Sequence, residues 1–295
     1  MSPFDLPPDL RSRLRRLSLA PRSAAALVSD GMHASRNRGG SMEFAQYRGY
    51  ERGDDLRRID WKLYSRSDRF FVRDAERESP VAIWIVLDAS ASMGQTDLAS
   101  PNWSRFDAAK RLMAAIMDIA LRQGDRFGTI VVQADSPLVV PPSQDRRHQD
   151  RLRLALGPLR PGGIPAWQHQ LATLGGHIAQ GDVAIIVTDG FDDGCITAAE
   201  QLSAAGRDVS LIQVLTADER DFPFDGSHRF RDPELETEIA ADGRHLRAAY
   251  LTRFAQARAD LRARLEGRGI RFAEHFTDQD PDGPIQALSL ATGRP

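Results

Sequence analysis

The sequence predicts a doubly wound, mostly parallel α/β fold with an N-terminal extension. After Pro80, short apolar runs alternate with amphipathic segments of helical length, a pattern typical of parallel strands joined by crossover helices. The runs VAIWIVLD and VAIIVTDG are continuously apolar, as strands buried on both faces must be. The alternation continues to the C-terminus, so one sheet is expected to include the last strand.

The chain is predicted to divide near Pro80. Residues 1–80 form a helical and charged aromatic extension, and residues 81–295 form the α/β domain. In the extension, Leu10, Leu14 and Leu17 recur at helical spacing, and Arg22–His33 is a second candidate helix.

The elements of the second part follow from apolar runs and breakers. The predicted order is strand Val81–Asp88, helix Phe106–Gln123, a strand pair Phe127–Val132 and Pro137–Val140, helices from about Gln149 and Trp167, strand Val183–Gly190, a helix, strand Val209–Leu215, helix Tyr250–Leu265, strand Ile270–Phe276 and a last helix from Ile285. The polar segment Thr216–Gly226 is predicted as a loop, and residues 227–241 as a small hairpin insertion.

The composition is that of an ordinary globular protein. A formal charge of -2 argues against a protein-wide attraction to nucleic acid or anionic lipid. The lone Cys195 cannot form an internal disulfide. No run approaches the roughly 20 apolar residues that a membrane-spanning helix needs, so no membrane insertion and a soluble, cytoplasmic protein are expected.

Two strand ends predict a shared site. The strands that end in Asp88 and Asp189 should lie side by side, because ligands of open α/β sheets bind beyond the carboxyl ends of neighbouring strands. Asp88, Ser90 and Ser92 alternate along the loop VLDASASMG, so their three oxygens can point the same way. Mg²⁺ and other hard divalent cations prefer such oxygen ligands.

Two other interpretations of this loop stay open. Asp88 can simply cap the following turn while the serines satisfy loop amides. In a Mg-dependent phosphohydrolase, Asp88 would be the nucleophile and a second acid nearby would protonate the leaving group. Ser90 stands two residues on, where such enzymes carry that acid, and this disfavours catalysis.

The stretch Glu43–Asp74 mixes both charges with aromatic rings. Arginines beside rings suggest stacking on single-stranded nucleic acid, but interleaved acids would repel phosphates. The better interpretation is a structural buttress with arginine–carboxylate pairs, or a partner-docking surface. The residues singled out are Arg48, Tyr50, Asp54, Asp55, Arg57, Asp60 and Trp61.

These motifs carry a family resemblance. The run R-x-Y-x-x-G-D-D-x-R-x-I-D-W, which begins at Arg48, is followed by D-x-S-x-S-M from Asp88. With VTDGFDD, DFPFDG and RFRDPE in the same order, the chain resembles the DUF58 family (domain of unknown function 58) over nearly its whole length.

The resemblance implies a von Willebrand factor A-like fold with a metal-ion-dependent adhesion site (MIDAS). Asp88, Ser90 and Ser92 match its first loop, and Asp189 matches the aspartate of a later one. The threonine that such a site contributes meets Ile164 in PGGIPAW. Isoleucine offers no oxygen, so Mg²⁺ or another divalent cation is expected to bind weakly or not at all.

The resemblance also implies a function. Proteins of this kind are similar to partners of MoxR-type AAA+ ATPases, which assemble or remodel other complexes. The expected function is thus a non-enzymatic adaptor that binds such an ATPase and a client complex, with no nucleic acid. The alternatives are the phosphohydrolase that uses Asp88 and a structural interaction protein whose metal site is degenerate.

Overall fold

The structure is a computed structural model that describes residues 2–19, 45–50, 61–67, 69–75, 82–231, 234 and 238–289. It divides into two compact units, Met1–Asp30 with Val81–Pro295, and Gly31–Pro80. This corrects the expectation that residues 1–80 form one extension, because the first segment belongs with the α/β unit. The predicted helix Arg22–His33 lies outside the described residues.

The strands are numbered in chain order. They are β1 Ala45–Gly49, β2 Phe71–Ala75, β3 Ala82–Asp88, β4 Thr96–Asp97, β5 Ser100–Ser104, β6 Arg126–Val132, β7 Leu138–Ser143, β8 Val183–Thr188, β9 Asp208–Leu215, β10 Ser227–Arg231, β11 Glu238–Asp242 and β12 Arg271–Phe276. The α-helices span Pro8–Leu14, Trp61–Ser67, Arg105–Gln123, Arg146–Leu156, Trp167–His177, Asp193–Ala204, Ala217–Asp221, Gly243–Gly267 and Asp282–Leu288.

The central sheet confirms the predicted fold class. In the described part of the chain it has six strands in the order β12-β9-β8-β3-β6-β7. All neighbours are parallel except β7, which pairs antiparallel with β6 at the edge. Strand order reverses on the two sides of β3, so the carboxyl ends of β3 and β8 are adjacent at the switch point.

Alternating side chains of β3 supply two cores, one on each face of the sheet. Ile83, Ile85 and Leu87 are buried on the face covered by helix Arg105–Gln123. Trp84 and Val86 are buried on the opposite face, with residues of helices Trp167–His177 and Asp193–Ala204. This alternation explains why the whole strand reads as apolar.

The helix Arg105–Gln123 has strong sequence signals at both ends. Ser104 is its N-cap and forms a capping box with Asp107, and Gly124 ends it in the left-handed conformation at φ 78°. The start is one residue earlier than predicted, so Arg105 occupies the first helical position. This places the Arg105 side chain at the carboxyl edge of the sheet.

Two other boundaries differ from the sequence prediction. The predicted loop Thr216–Gly226 contains the short helix Ala217–Asp221, stabilised by a capping box between Thr216 and Glu219. The helix Gly243–Gly267 begins before the predicted Tyr250, because Asp242 accepts a hydrogen bond from the backbone amide of Arg244 and caps it. β10 and β11 pair antiparallel where the hairpin insertion was predicted.

The N-terminal helix Pro8–Leu14 is part of the main core. Leu10 and Leu14 are buried in the same cluster as Ile83 of β3. The guanidinium of Arg122, in helix Arg105–Gln123, donates to the backbone oxygen of Leu14 at 2.7 Å. The leucine spacing thus predicted a helix correctly, but it could not tell which surface that helix would cover.

We expect Leu14→Ala to lower the free energy of unfolding by about 2–5 kcal/mol, because it leaves a cavity in the shared core. Leu154→Ala is the matched control: Leu154 is 77% exposed, and its loss should change stability by less than about 0.5 kcal/mol. Urea denaturation followed by circular dichroism measures both. Equal effects of the two substitutions would contradict this packing.

Candidate functional site at the carboxyl edge of the sheet

The structure brings the two predicted aspartates to neighbouring strand ends. Leu87 of β3 pairs with Val187 of β8, so Asp88 and the residues that follow Val187 leave the sheet together. The Thr188 hydroxyl donates to Asp88 Oδ2 at 2.7 Å. Asp88 and Asp189 are both buried.

The loop after β3 gathers the three predicted oxygen-bearing side chains. The backbone amide of Ser90 donates to Asp88 Oδ1 at 2.9 Å, and Ser90 Oγ lies 3.0 Å from Ser92 Oγ. Two neighbouring ligands of an octahedral Mg²⁺, each at about 2.1 Å, are separated by about 3 Å. The two hydroxyls are hydrogen-bonded to each other at a spacing that a pair of magnesium ligands can also have.

A glycine loop is fixed against this one by backbone hydrogen bonds. Gly162 donates its amide to the carbonyl of Ala89, and Ala91 donates to the carbonyl of Gly163, both at 2.9 Å. Gly163 has φ +70°, and a Cβ there would lie 2.9 Å from the Ala134 side chain, so this position favours glycine. The next residue, Ile164, is exposed and supplies no side-chain oxygen.

A buried arginine, Arg105, completes the site, and sequence reasoning missed it. Its Nη1 donates to Asp189 Oδ2 and to the backbone oxygen of Ser92, both at 3.0 Å. Its Nη2 pairs with Glu219, and Phe191 lies 5.3 Å from its guanidinium. The available signal was its position, since a positive charge at the start of a helix opposes the helix dipole.

Arg105 also faces a cavity of about 620 Å³ beside the loop after β3. Ser92 and Phe191 line it on one side, and the aromatic side chains of Phe222, Phe230 and Tyr250 line it on the other. Phe222 contacts both of the other rings: it is stacked on Phe230 and lies 4.4 Å from Tyr250. Arg229 and Phe230 of β10 line the cavity, so the hairpin contributes to its wall.

The carboxylates of the site are only partly neutralised. Burial, and secondly the nearby Asp189, raise the pKa of Asp88 to about 7, although the Thr188 hydrogen bond opposes this. Arg105 is shared between Asp189 and Glu219. A cation beside Asp88 would supply the positive charge that this part of the site lacks.

The donor set fits a divalent cation of the magnesium type. In the described part of the chain, no three His, Cys, Asp or Glu side chains form a metal-binding group. The available donors are instead the Asp88 carboxylate and the Ser90 and Ser92 hydroxyls, with the Asp189 carboxylate held by Arg105, which suits an ion that keeps several waters. Ile164 leaves this set one ligand short of the predicted pattern.

The charged aromatic motif lies in the other compact unit. Arg48 is in β1, which pairs with β2, and Tyr50 follows it. Tyr64 stacks on Phe70 at 4.4 Å, with Trp61 edge-on to both. The other four predicted residues, Asp54, Asp55, Arg57 and Asp60, lie outside the described residues. The buttress and docking interpretations therefore remain predictions.

Comparisons with known proteins agree with the family resemblance. The family described as "Protein of unknown function DUF58" matches residues 46–260. Uncharacterized protein Rv1480 of Mycobacterium tuberculosis is 27% identical over 281 residues, which cover 92% of this chain and 86% of that protein.

Solved structures of similar fold include a von Willebrand factor A domain. The SpRpn10 VWA domain is 14% identical with a TM-score of 0.43, covering 72% of this chain and 100% of that one. An aerotolerance-related membrane protein from Bacteroides fragilis is 24% identical with a TM-score of 0.42, covering 70% of this chain and 96% of that one. The central sheet and its helices form a mostly parallel, doubly wound α/β fold.

The expectation of a cytoplasmic protein is wrong. The Bacteroides fragilis structure is described as that of a membrane protein, so this architecture does not indicate the cytoplasm. The expectation rested on the lack of a long apolar run, which bears only on spanning helices. Among the described helices, none combines the length and apolar character needed to cross a bilayer.

We expect Asp88→Asn to change how stability depends on pH in chelator-treated protein. The folded-state pKa of Asp88, about 7, lies above its ordinary value of 3.8, so the folded state holds a proton that the unfolded state releases between these pH values. As pH rises from about 4 to 7, the free energy of unfolding of wild type should therefore fall by up to roughly 4 kcal/mol relative to that of Asp88→Asn.

The measurement is urea denaturation of both proteins at several pH values. Burial lowers the pKa of His275 to about 4, but this group is common to both proteins and cancels in the difference. Parallel stability curves for the two proteins would show that Asp88 does not titrate in this range.

Proposed function

This chain belongs to the DUF58 family, and on that premise we propose that it is a non-enzymatic protein-interaction module. Its contact surface is the carboxyl edge of the sheet. Its partner is a MoxR-type AAA+ ATPase that acts on a client protein complex. The family resemblance supports this class of partner, and the surface chemistry of the edge supports the location.

The observation that carries the proposal is an apolar rim around the polar site. Leu98, Ile164 and Phe191 are 66%, 55% and 57% exposed. They come from three loops that meet at this edge: Leu98 donates its amide to Asp218, Ile164 follows Gly163, and Phe191 donates its amide to Asp189. Large apolar side chains exposed together mark interaction sites.

The polar centre supplies the second half of the contact. Asp88, Ser90 and Ser92 hold Mg²⁺ or another divalent cation in this proposal, with Asp189 nearby. Two neutral hydroxyls and one carboxylate leave such a cation electrophilic, so it would accept a carboxylate from the partner. Binding is weak because Ile164 offers no oxygen.

The geometry does not favour the phosphohydrolase alternative. Asp88 is buried, and each of its oxygens accepts a hydrogen bond, from the Ser90 amide and from the Thr188 hydroxyl. At 1% exposed, the Asp88 carboxylate offers little access to a substrate phosphate, which is much larger than a metal ion. Ser90 is a hydroxyl, which is too weak an acid to protonate a leaving group as a carboxylic acid would.

We expect Phe191→Ala to weaken capture of the ATPase at least about tenfold, since an exposed aromatic at the centre of a contact is a typical anchor. Leu154→Ala is the matched control, because Leu154 is exposed on helix Arg146–Leu156 and belongs to none of these three loops. Affinity-tagged chain and purified MoxR-type ATPase, compared by surface plasmon resonance, give the two affinities. If both variants bind like wild type, the edge is not the contact surface.

We expect Ile164→Thr to tighten Mg²⁺ binding several-fold, because it restores the oxygen that the site lacks. Ile164 is exposed, so the change should leave stability within about 0.5 kcal/mol of wild type. Titration calorimetry with MgCl₂ measures the affinity, and Asp88→Ala should abolish it. Identical heats for Ile164→Thr and Asp88→Ala would favour the interpretation of a degenerate metal site.

A further inference from the structure

Arg105 is held by acidic and carbonyl groups on every side. Asp189 comes from the end of β8, the Ser92 carbonyl from the loop after β3, and Glu219 from helix Ala217–Asp221. The ring of Phe191 covers the guanidinium. The side chain is only 4% exposed, and its Nε has no hydrogen-bond partner among the described residues.

The position of Arg105 costs free energy of folding, which suggests that the residue has a role in the site. Arg105 is at the first position of its helix, where the helix dipole disfavours a cation. Burial of a guanidinium carries a further desolvation penalty, which only well-placed partners offset. The two carboxylates that offset it are those of Asp189 and Glu219.

We infer that the positively charged Arg105 side chain competes with a divalent cation for Asp189. Arg105 thereby sets the affinity of the site for that cation. This inference rests on the cation site of the proposed function and adds a residue that controls it. The loop that carries Ser90 and Ser92 is the same loop whose Ser92 carbonyl accepts from Arg105.

The competition follows from charge and geometry. A guanidinium that donates to Asp189 Oδ2 occupies an oxygen that would otherwise face the cation or one of its waters. Two positive centres a few ångströms apart in a buried site repel each other strongly. A divalent cation therefore binds at full strength only when Arg105 leaves Asp189.

The same contact links the site to the cavity beside it. Arg105 joins Asp189 to Glu219, and Arg105 and Glu219 both line the cavity. Loss of the Asp189 contact would leave Arg105 paired with Glu219, at the cavity that both residues line. Cation binding thus changes the charge that this cavity presents to a partner.

The test is titration calorimetry of the chelator-treated full chain with MgCl₂. We expect Arg105→Gln to bind Mg²⁺ at least about tenfold more tightly than wild type, and Arg105→Lys to lie between them because lysine keeps the charge without the planar fork. The double variant with Asp88→Ala should lose this binding. The matched control is Arg111→Gln on the same helix, whose guanidinium lies over the Trp103 ring, and it should bind like wild type.

Arg105→Gln removes the positive charge that pairs with two carboxylates, so circular dichroism is used first to establish that this variant folds. If it does not fold, the Mg²⁺ affinity of Arg105→Lys is the deciding measurement. A second measurement uses wild type: the Arg105 Nε–H resonance, assigned by its loss in Arg105→Lys, should move as Mg²⁺ is added. Unchanged or weaker binding by the folded variants, or a resonance that stays fixed at saturating Mg²⁺, would overturn the inference.

The outcome is separable from that of the proposed function. Tighter Mg²⁺ binding by Arg105→Gln, together with ATPase capture that chelator does not affect, would support the competition and exclude a role for the cation in docking. Loss of the rim contact in Phe191→Ala, together with unchanged Mg²⁺ binding by Arg105→Gln, would support the docking edge and exclude the competition.

Discussion

The buried ion pairs of Arg105 are the constraint on which the carboxyl edge depends. One guanidinium holds together the loop after β3, the end of β8 and the short helix after β9, through the Ser92 carbonyl, Asp189 and Glu219. Removal of one partner from such a group leaves a buried charge uncompensated, which typically costs about 3–5 kcal/mol. The positions of these three elements are therefore coupled rather than independent.

The pairing of the strands brings the coupled groups to the same edge of the sheet. Parallel pairing of β3 with β8 places Asp88 and Asp189 on adjacent strand ends, where two like charges repel each other strongly because both are buried. Arg105 pairs with Asp189. Burial, and secondly Asp189, raise the pKa of Asp88, so a cation beside the serine hydroxyls would stabilise the charged form of that carboxyl.

Much of this arrangement could be predicted from local patterns. The continuous apolar runs predicted β3 and β8, and their terminal aspartates predicted a shared edge. The capping box at Thr216 and Glu219 was also in the sequence, but the surrounding polar, proline-rich composition outweighed it. The contacts of Arg105 could not be predicted, because Asp189 and Glu219 are 84 and 114 residues away and no local pattern encodes such pairs. The same is true of the surface that Leu10 and Leu14 cover.

The apolar rim and the charged centre of the carboxyl edge would contribute differently to the proposed contact with a partner. Apolar side chains such as Phe191 and Ile164 gain affinity by losing water, whereas a charged centre gains specificity because a wrong partner leaves it unpaired. In the proposed contact, Ile164 in place of an oxygen ligand would shift this balance towards the apolar contribution. A weakly bound cation, with Asp189 shared with Arg105, would then leave the partner to complete the charge of the site.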